Sequence, residues 1–144
     1  MISFEELKII SQTRLEDAKA LLINGRYDGA LYVCGYAVET ALKSIVCKNL
    51  NLNGVVSSAH IPSTTQEFKI IELIKTHDLE GLLKLAPANL ATEIKTTKLS
   101  EWSTVLKWNP EMRYAPIRGA AMQVESTDVV NSAESILQYL WTQI

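Results

Sequence analysis

Between Tyr27 and Leu50 runs a stretch that is apolar on almost every side of a helix, yet it holds two tyrosines, an acid and a base in its middle. Ala30, Leu31, Val33, Cys34, Ala37, Val38, Ala41, Leu42, Ile45 and Val46 cover most of the circumference, the pattern of a helix touched by several others. Asp28 in the first turn suits the helix dipole, and Asn51, Asn53 and Gly54 stop the run. Nowhere does the chain alternate apolar and polar residues as a half-buried strand does, and it has no internal repeat. The expected fold class is all-α, built around this segment.

The residues before it predict a partner helix. Ser3 with Glu6 three residues on forms a capping box, and Ile2 with Leu7 can supply a hydrophobic staple. Phe4, Leu7, Ile10, Leu15, Ala18, Leu21 and Leu22 recur near helical spacing, and Asn24-Gly25 is a stop signal, so the helix spans about Ser3 to Asn24. After Leu50, residues 51–66 mix Asn, Gly, Ser, Thr and Pro; a loop of that length is functional or flexible, and partial disorder is expected. Phe68–Lys75 and Leu79–Leu85 read as two short helices hinged at Thr76-His77-Asp78, whose side chains can cap the second. Ala88–Lys107 reads as another helix, weakened by Thr92, Thr96 and Thr97. Pro110, Pro116 and Gly119 make Trp108 to about Gln123 irregular. A last helix over about Ser126–Thr142 carries Val129, Val130, Ala133, Ile136, Leu137, Leu140 and Trp141 on one stripe.

A length of 144 residues suits one domain over 1–144, and an apolar share of 47% with six Gly and four Pro excludes disorder as the general state. Net charge is −2, with residues 93–118 at +2 and 119–144 at −3, so no strongly basic face favours nonspecific DNA binding. Cys34 and Cys47 lie thirteen residues apart; on one helix that is ~20 Å, too far for a disulfide, so both read as reduced core residues. Two His without ligand spacing predict no metal, and no cofactor is expected. The N-terminus lacks a basic region followed by an apolar run, so a cytoplasmic location is expected. The most apolar segment, Gly29–Val38, is ten residues against the ~20 a bilayer needs, so no membrane span is expected.

The string Arg14-x-x-Asp17-Ala18-x-x-Leu21-Leu22-x-x-Gly25-Arg26-Tyr27-Asp28-Gly29-Ala30-Leu31-Tyr32, continued by Gly35-Tyr36-Ala37-Val38-Glu39-x-Ala41-Leu42-Lys43, resembles the opening hairpin of the prokaryotic HEPN family. His77-Asp78-Leu79 and Trp108-x-Pro110-Glu111-x-Arg113-Tyr114 add to the similarity. The resemblance implies an antiparallel four-helix up-and-down bundle with one or two extra short helices, commonly a homodimer. It also implies a place among toxin–antitoxin modules, phage-defence proteins or nucleotidyltransferase-associated domains. Many active members are metal-independent ribonucleases with an Arg followed four to six residues later by His. That motif is absent: the histidines are His60 and His77, and none follows Arg113 or Arg118. RNA cleavage through the 2′-hydroxyl needs a positioned proton acceptor and donor, which His supplies near neutral pH.

Asp28, Tyr32, Tyr36, Glu39 and Lys43 follow helical offsets that place them on one face. Such a stripe reads as a pocket, with tyrosine rings stacking a base or sugar and Glu39 and Lys43 meeting polar edges or phosphate. It also reads as an internal hydrogen-bond network, the preferred alternative because buried charges are usually paired. His77 can meet Glu39 or cap the helix at Leu79; capping or packing is preferred, with Asp78 as a cap. Arg113 and Tyr114, with Arg118 nearby, can hold a phosphate through the planar Arg fork, or Arg113 can pair with Glu111. Trp102, Trp108 and Trp141 read as core or dimer-interface anchors.

The resulting ligand-binding candidates are Tyr32, Tyr36, Glu39, Lys43, His77, Arg113 and Tyr114, with no catalytic residue among them. The chain is read as a noncatalytic domain that binds a partner protein or a nucleotide-bearing ligand, beside a nucleotidyltransferase or a toxin or antitoxin component. One alternative is a divergent ribonuclease acting on RNA with Arg113 and a base other than His. The other is a helical adaptor without a small-molecule site.

Overall fold

The computed structural model describes residues 2–52 and 63–144, and among them the regular structure is helical throughout. Ser3 Oγ accepts from the Glu6 amide at 3.1 Å and Glu6 Oε2 accepts from the Ser3 amide at 2.8 Å, so the capping box closes and α1 runs Phe4–Ile23. Gly25, at φ +74°, supplies the left-handed residue that ends it. Two amides then satisfy terminal carbonyls, Gly25 to Leu22 and Arg26 to Leu21. With the chain reversed this tightly, α2 (Tyr27–Asn49) returns along α1.

The remaining helices are α3 (Thr65–Ile74), α4 (Leu79–Leu85), α5 (Ala88–Thr96), α6 (Leu99–Val105) and α7 (Gln123–Trp141). Two 3₁₀ turns, Pro110–Tyr114 and Gly119–Met122, lie between α6 and α7. The central helix packs against α1, α4 and α7, while α6 lies on α7. One core unites Leu15 of α1, Val38 and Leu42 of α2, Leu82 of α4, Ile94 of α5, Trp102 of α6 and Ile136 of α7. A smaller cluster of Val46, Cys47 and Ile74 anchors α3. Buried hydroxyls stitch the long helices together. Ser11 Oγ donates to the Ala37 carbonyl at 2.7 Å and accepts from Trp141 Nε1 at 3.0 Å, and Ser44 Oγ donates to the Phe4 carbonyl at 2.6 Å. Each would cost ~1–3 kcal/mol if left unpaired.

Several expectations are corrected. Ala88–Lys107 is two helices, broken at Thr97-Lys98, where Lys98 leaves helical geometry at φ −118°, ψ 25°. The break lets α6 lie across α7 with Trp102 buried and its indole N–H on Glu80 at 2.6 Å. The last helix begins three residues early, at Gln123, because the preceding 3₁₀ turn feeds straight into it. Ser126 is no terminus; it is buried and donates to the Tyr27 carbonyl at 2.8 Å. Asp78 takes the N-cap position of α4 without a side-chain capping bond, and its own amide donates to Thr76 Oγ1.

Of the loop expected over 51–66, residues 53–62, His60 included, lie outside the described residues, and α3 already begins at Thr65. The ten-residue apolar count understated α2. By length and composition Tyr27–Asn49 could cross a membrane, with mean hydropathy 1.3 over its best window, but 72% of that window is buried by its neighbours. Its apolar surface serves the protein core. Cys34 and Cys47 are free and buried, and burial pushes their thiols up to about 12 and about 11, which makes them poor nucleophiles.

Candidate functional site

The polar face of α2 divides into three parts. At its start, the Asp28 carboxylate accepts from the backbone amides of Arg118 (3.2 Å) and Gly119 (2.8 Å), and so pins the segment before α7 onto the central helix. Asp28 is thereby an anchor.

At the far end, Glu39 is buried. One carboxylate oxygen accepts from Lys43 Nζ at 2.7 Å and the other from His77 Nδ1 at 2.9 Å. Helical spacing brings Lys43 one turn beyond Glu39, and the α3–α4 connection delivers His77. His77 therefore does meet Glu39, against the preference for capping. Its ring is half-exposed, with a side-chain exposure of 50% against 6% for Glu39. A carboxylate only accepts, so Nδ1 is the donor in this contact and Nε2 takes no part in it.

Between these ends stand the tyrosines. Tyr32 and Tyr36 place their hydroxyls 3.3 Å apart and their rings edge to face, with centroids at 5.2 Å. Trp108 meets Tyr36 edge to face at 5.1 Å and donates its indole N–H to the Tyr32 carbonyl at 2.9 Å. Gly35 makes this possible, because a Cβ there would overlap the Trp108 indole. His77 lies 6.2 Å from Tyr36 on the same side. Burial first, and then the Tyr32 hydrogen bond, pushes the Tyr36 phenol up to about 12, so it stays a neutral donor at physiological pH. The two rings face a cleft of about 310 Å³ between α1 and α2, lined also by Ile10, Arg14, Asp17, Val33 and Thr40.

Arg113 and Tyr114 close the arrangement from the first 3₁₀ turn. The guanidinium carbon lies 4.8 Å from the Tyr114 ring centroid, a cation–π contact. Its pKa is raised by Tyr114 first and then by Tyr32, Tyr36 and Glu111, the ionisable groups nearest to it. Among the described residues it makes no ion pair with Glu111, and both Arg113 and Tyr114 are exposed. The structure thus brings Tyr32, Tyr36, His77 and Arg113 around one tyrosine pair and locks Glu39 and Lys43 together behind them. Tyr114 stands at the rim. The sequence stripe did not reveal the contribution of Trp108. Its only signal was an aromatic residue just ahead of a proline-interrupted turn, with an unusual helical glycine at Gly35.

No group of His, Cys, Asp and Glu able to hold a metal occurs among the described residues. The arrangement offers stacking surface, neutral hydroxyls, one free guanidinium and one half-exposed imidazole. Its class is an all-α bundle with a polar, tyrosine-bearing stripe on its enclosed central helix. Residues 4–58, which take in α1 and α2, match the family model described as the HEPN domain, so this hairpin is similar to that family. No curated protein and no solved structure matches it.

Proposed function

We propose that residues 1–144 act as one noncatalytic HEPN domain, cytoplasmic and homodimeric, that binds a nucleotide-bearing ligand beside a partner protein. That partner is a nucleotidyltransferase or a toxin or antitoxin component. The observation that carries the ligand reading is the Tyr32–Tyr36 pair on a 310 Å³ cleft, with the exposed Arg113 guanidinium, which has no ion pair among the described residues, on the turn just after Trp108. A base or sugar stacks on the rings, and the guanidinium fork takes phosphate oxygens. Such clefts typically span about 300–1,000 Å³, so the volume suits part of a nucleotide, with the phosphates at the exposed rim.

Thermal-shift screening with nucleoside mono-, di- and triphosphates tests this. A ligand at a hundred times its dissociation constant adds ~2.7 kcal/mol to stability, and the gain should vanish in Arg113→Ala. If no nucleotide stabilises the wild-type protein, the ligand reading is wrong.

A second reading is favoured by the Glu39–His77 contact at 2.9 Å. An imidazole oriented by the Glu39 carboxylate can accept the 2′-hydroxyl proton at Nε2 as that oxygen bonds to the adjacent phosphorus, while Arg113 holds the phosphate. The P–O5′ bond then breaks, and the 5′-oxygen takes a proton from water. In this divergent ribonuclease the base is His77 rather than the non-histidine base expected above. Metal-free incubation with mixed RNA decides between the two. Cleavage that disappears in both His77→Ala and Arg113→Ala makes the protein an enzyme; intact RNA leaves it a binder.

A further inference from the structure

A second concavity lies away from the tyrosine cleft, where the α1–α2 turn meets the segment ahead of α7. It holds about 350 Å³ and is lined by Leu21, Gly25, Arg26, Tyr27, Ile117 and Gly119, among others. The two Asp28 hydrogen bonds fix one wall, so this is a formed surface with its one acid already engaged. Ile117, one of its lining residues, stands 82% exposed. Residues 112–124 contain two arginines and no acid. Neither Arg26 nor Arg118 makes an ion pair among the described residues.

We infer that this cleft docks an acidic segment of a partner protein, seating an aliphatic side chain against Ile117 and carboxylates on Arg26 and Arg118. Single exposed aliphatics are ordinary, but an exposed isoleucine on a formed concavity, beside arginines without ion pairs among the described residues, has the composition of a protein interface. Charge complementarity selects the sign of the partner, since unpaired guanidinium forks bind carboxylates bidentately. A nucleic acid would satisfy the arginines and leave Ile117 wet. The inference rests on the partner-protein half of the reading above and is independent of the nucleotide half, which uses Arg113 and the tyrosines.

The test is fluorescence anisotropy on the full chain with a short labelled peptide of alternating Glu and Leu. Its controls are a Lys–Leu peptide of equal length and a single-stranded oligonucleotide. Saturable binding of the acidic peptide is expected, weakened by salt and reduced about tenfold or more by Ile117→Asp and by Arg118→Glu. Both positions are exposed, so the variants should keep the wild-type melting temperature; Arg26→Glu provides a third variant on the opposite wall. No saturable binding, equal binding of the Lys–Leu peptide, or binding indifferent to all three substitutions overturns the inference. So does a result in which only oligonucleotide binding responds to them. Nucleotide stabilisation lost in Arg113→Ala reports on the tyrosine cleft alone, so failure of either idea leaves the other measurable.

Discussion

The Glu39 end of the polar stripe on α2 and the tyrosine pair before it treat polar groups in opposite ways. Around Glu39 the polar groups close on one another: a buried carboxylate with the Lys43 ammonium on one oxygen and the His77 imidazole Nδ1 on the other. Around Tyr32 and Tyr36 the groups stay open, with phenols on a cleft and the Arg113 cation lacking an acidic partner among the described residues. Burial makes the difference. A charge removed from water must find a partner within the protein, and once found that partner holds it as architecture. A charge left at the rim costs little to leave unpaired and remains available to a ligand.

The largest effect should come from the residue that positions the open part. Trp108 sits over Gly35, packs on Tyr36 and donates to the Tyr32 carbonyl, so Trp108→Ala should cost ~3–5 kcal/mol in urea denaturation. Nucleotide stabilisation should disappear with it. A loss below about 1 kcal/mol would mean that the tyrosine pair is positioned by something other than this indole.

Glu39→Gln should come next. It removes the carboxylate from Lys43, whose side chain is only 13% exposed, and breaking a buried pair costs ~3 kcal/mol or more. Replacing both partners, with Lys43→Met added, should recover much of that loss, because no uncompensated charge is left inside. If the single and double variants are equally unstable, the closed end is held by packing and the contrast drawn above fails.

Much of this was legible in the sequence, for physical reasons. The capping box, the Asn24-Gly25 stop and the all-round apolarity of Ala30–Val46 are local signals, and they fixed α1, α2 and the hairpin. Helical spacing alone put Tyr32, Tyr36, Glu39 and Lys43 on one face. What spacing could not give was the geometry supplied from elsewhere in the chain. His77 arrives from a short connection, Trp108 from beyond a proline-rich turn, and Asp28 turns out to hold backbone amides, all at long sequence separation. The split at Thr97-Lys98 was hidden for the same reason. It serves the packing of α6 on α7, a tertiary demand that the run Ala88–Lys107 does not announce.

At the open end, stability and function should separate. Arg113→Ala should leave the unfolding free energy within about 0.5 kcal/mol, since the side chain is exposed, while weakening nucleotide binding about a hundredfold, or ~2.7 kcal/mol. Isothermal titration paired with chemical denaturation measures both. If stability fell as steeply as affinity, Arg113 would belong with the architectural charges.

The smallest effect is also the cleanest control. Arg14 and Asp17 on α1 line the tyrosine cleft and pair at 2.6 Å, nearly the separation of Lys43 and Glu39 at 2.7 Å. Their side chains are 50% and 45% exposed, where those of Lys43 and Glu39 are 13% and 6%. If distance governed the strength of these contacts, Arg14→Ala and Glu39→Gln would cost alike. Because water screens the first pair and not the second, Arg14→Ala should cost only about 0.3 kcal/mol, and even that should fade in high salt. Denaturation of both variants at low and high ionic strength makes the comparison, and a salt-insensitive loss above about 1 kcal/mol for Arg14→Ala would show that the cleft wall is as rigidly built as the buried end behind it.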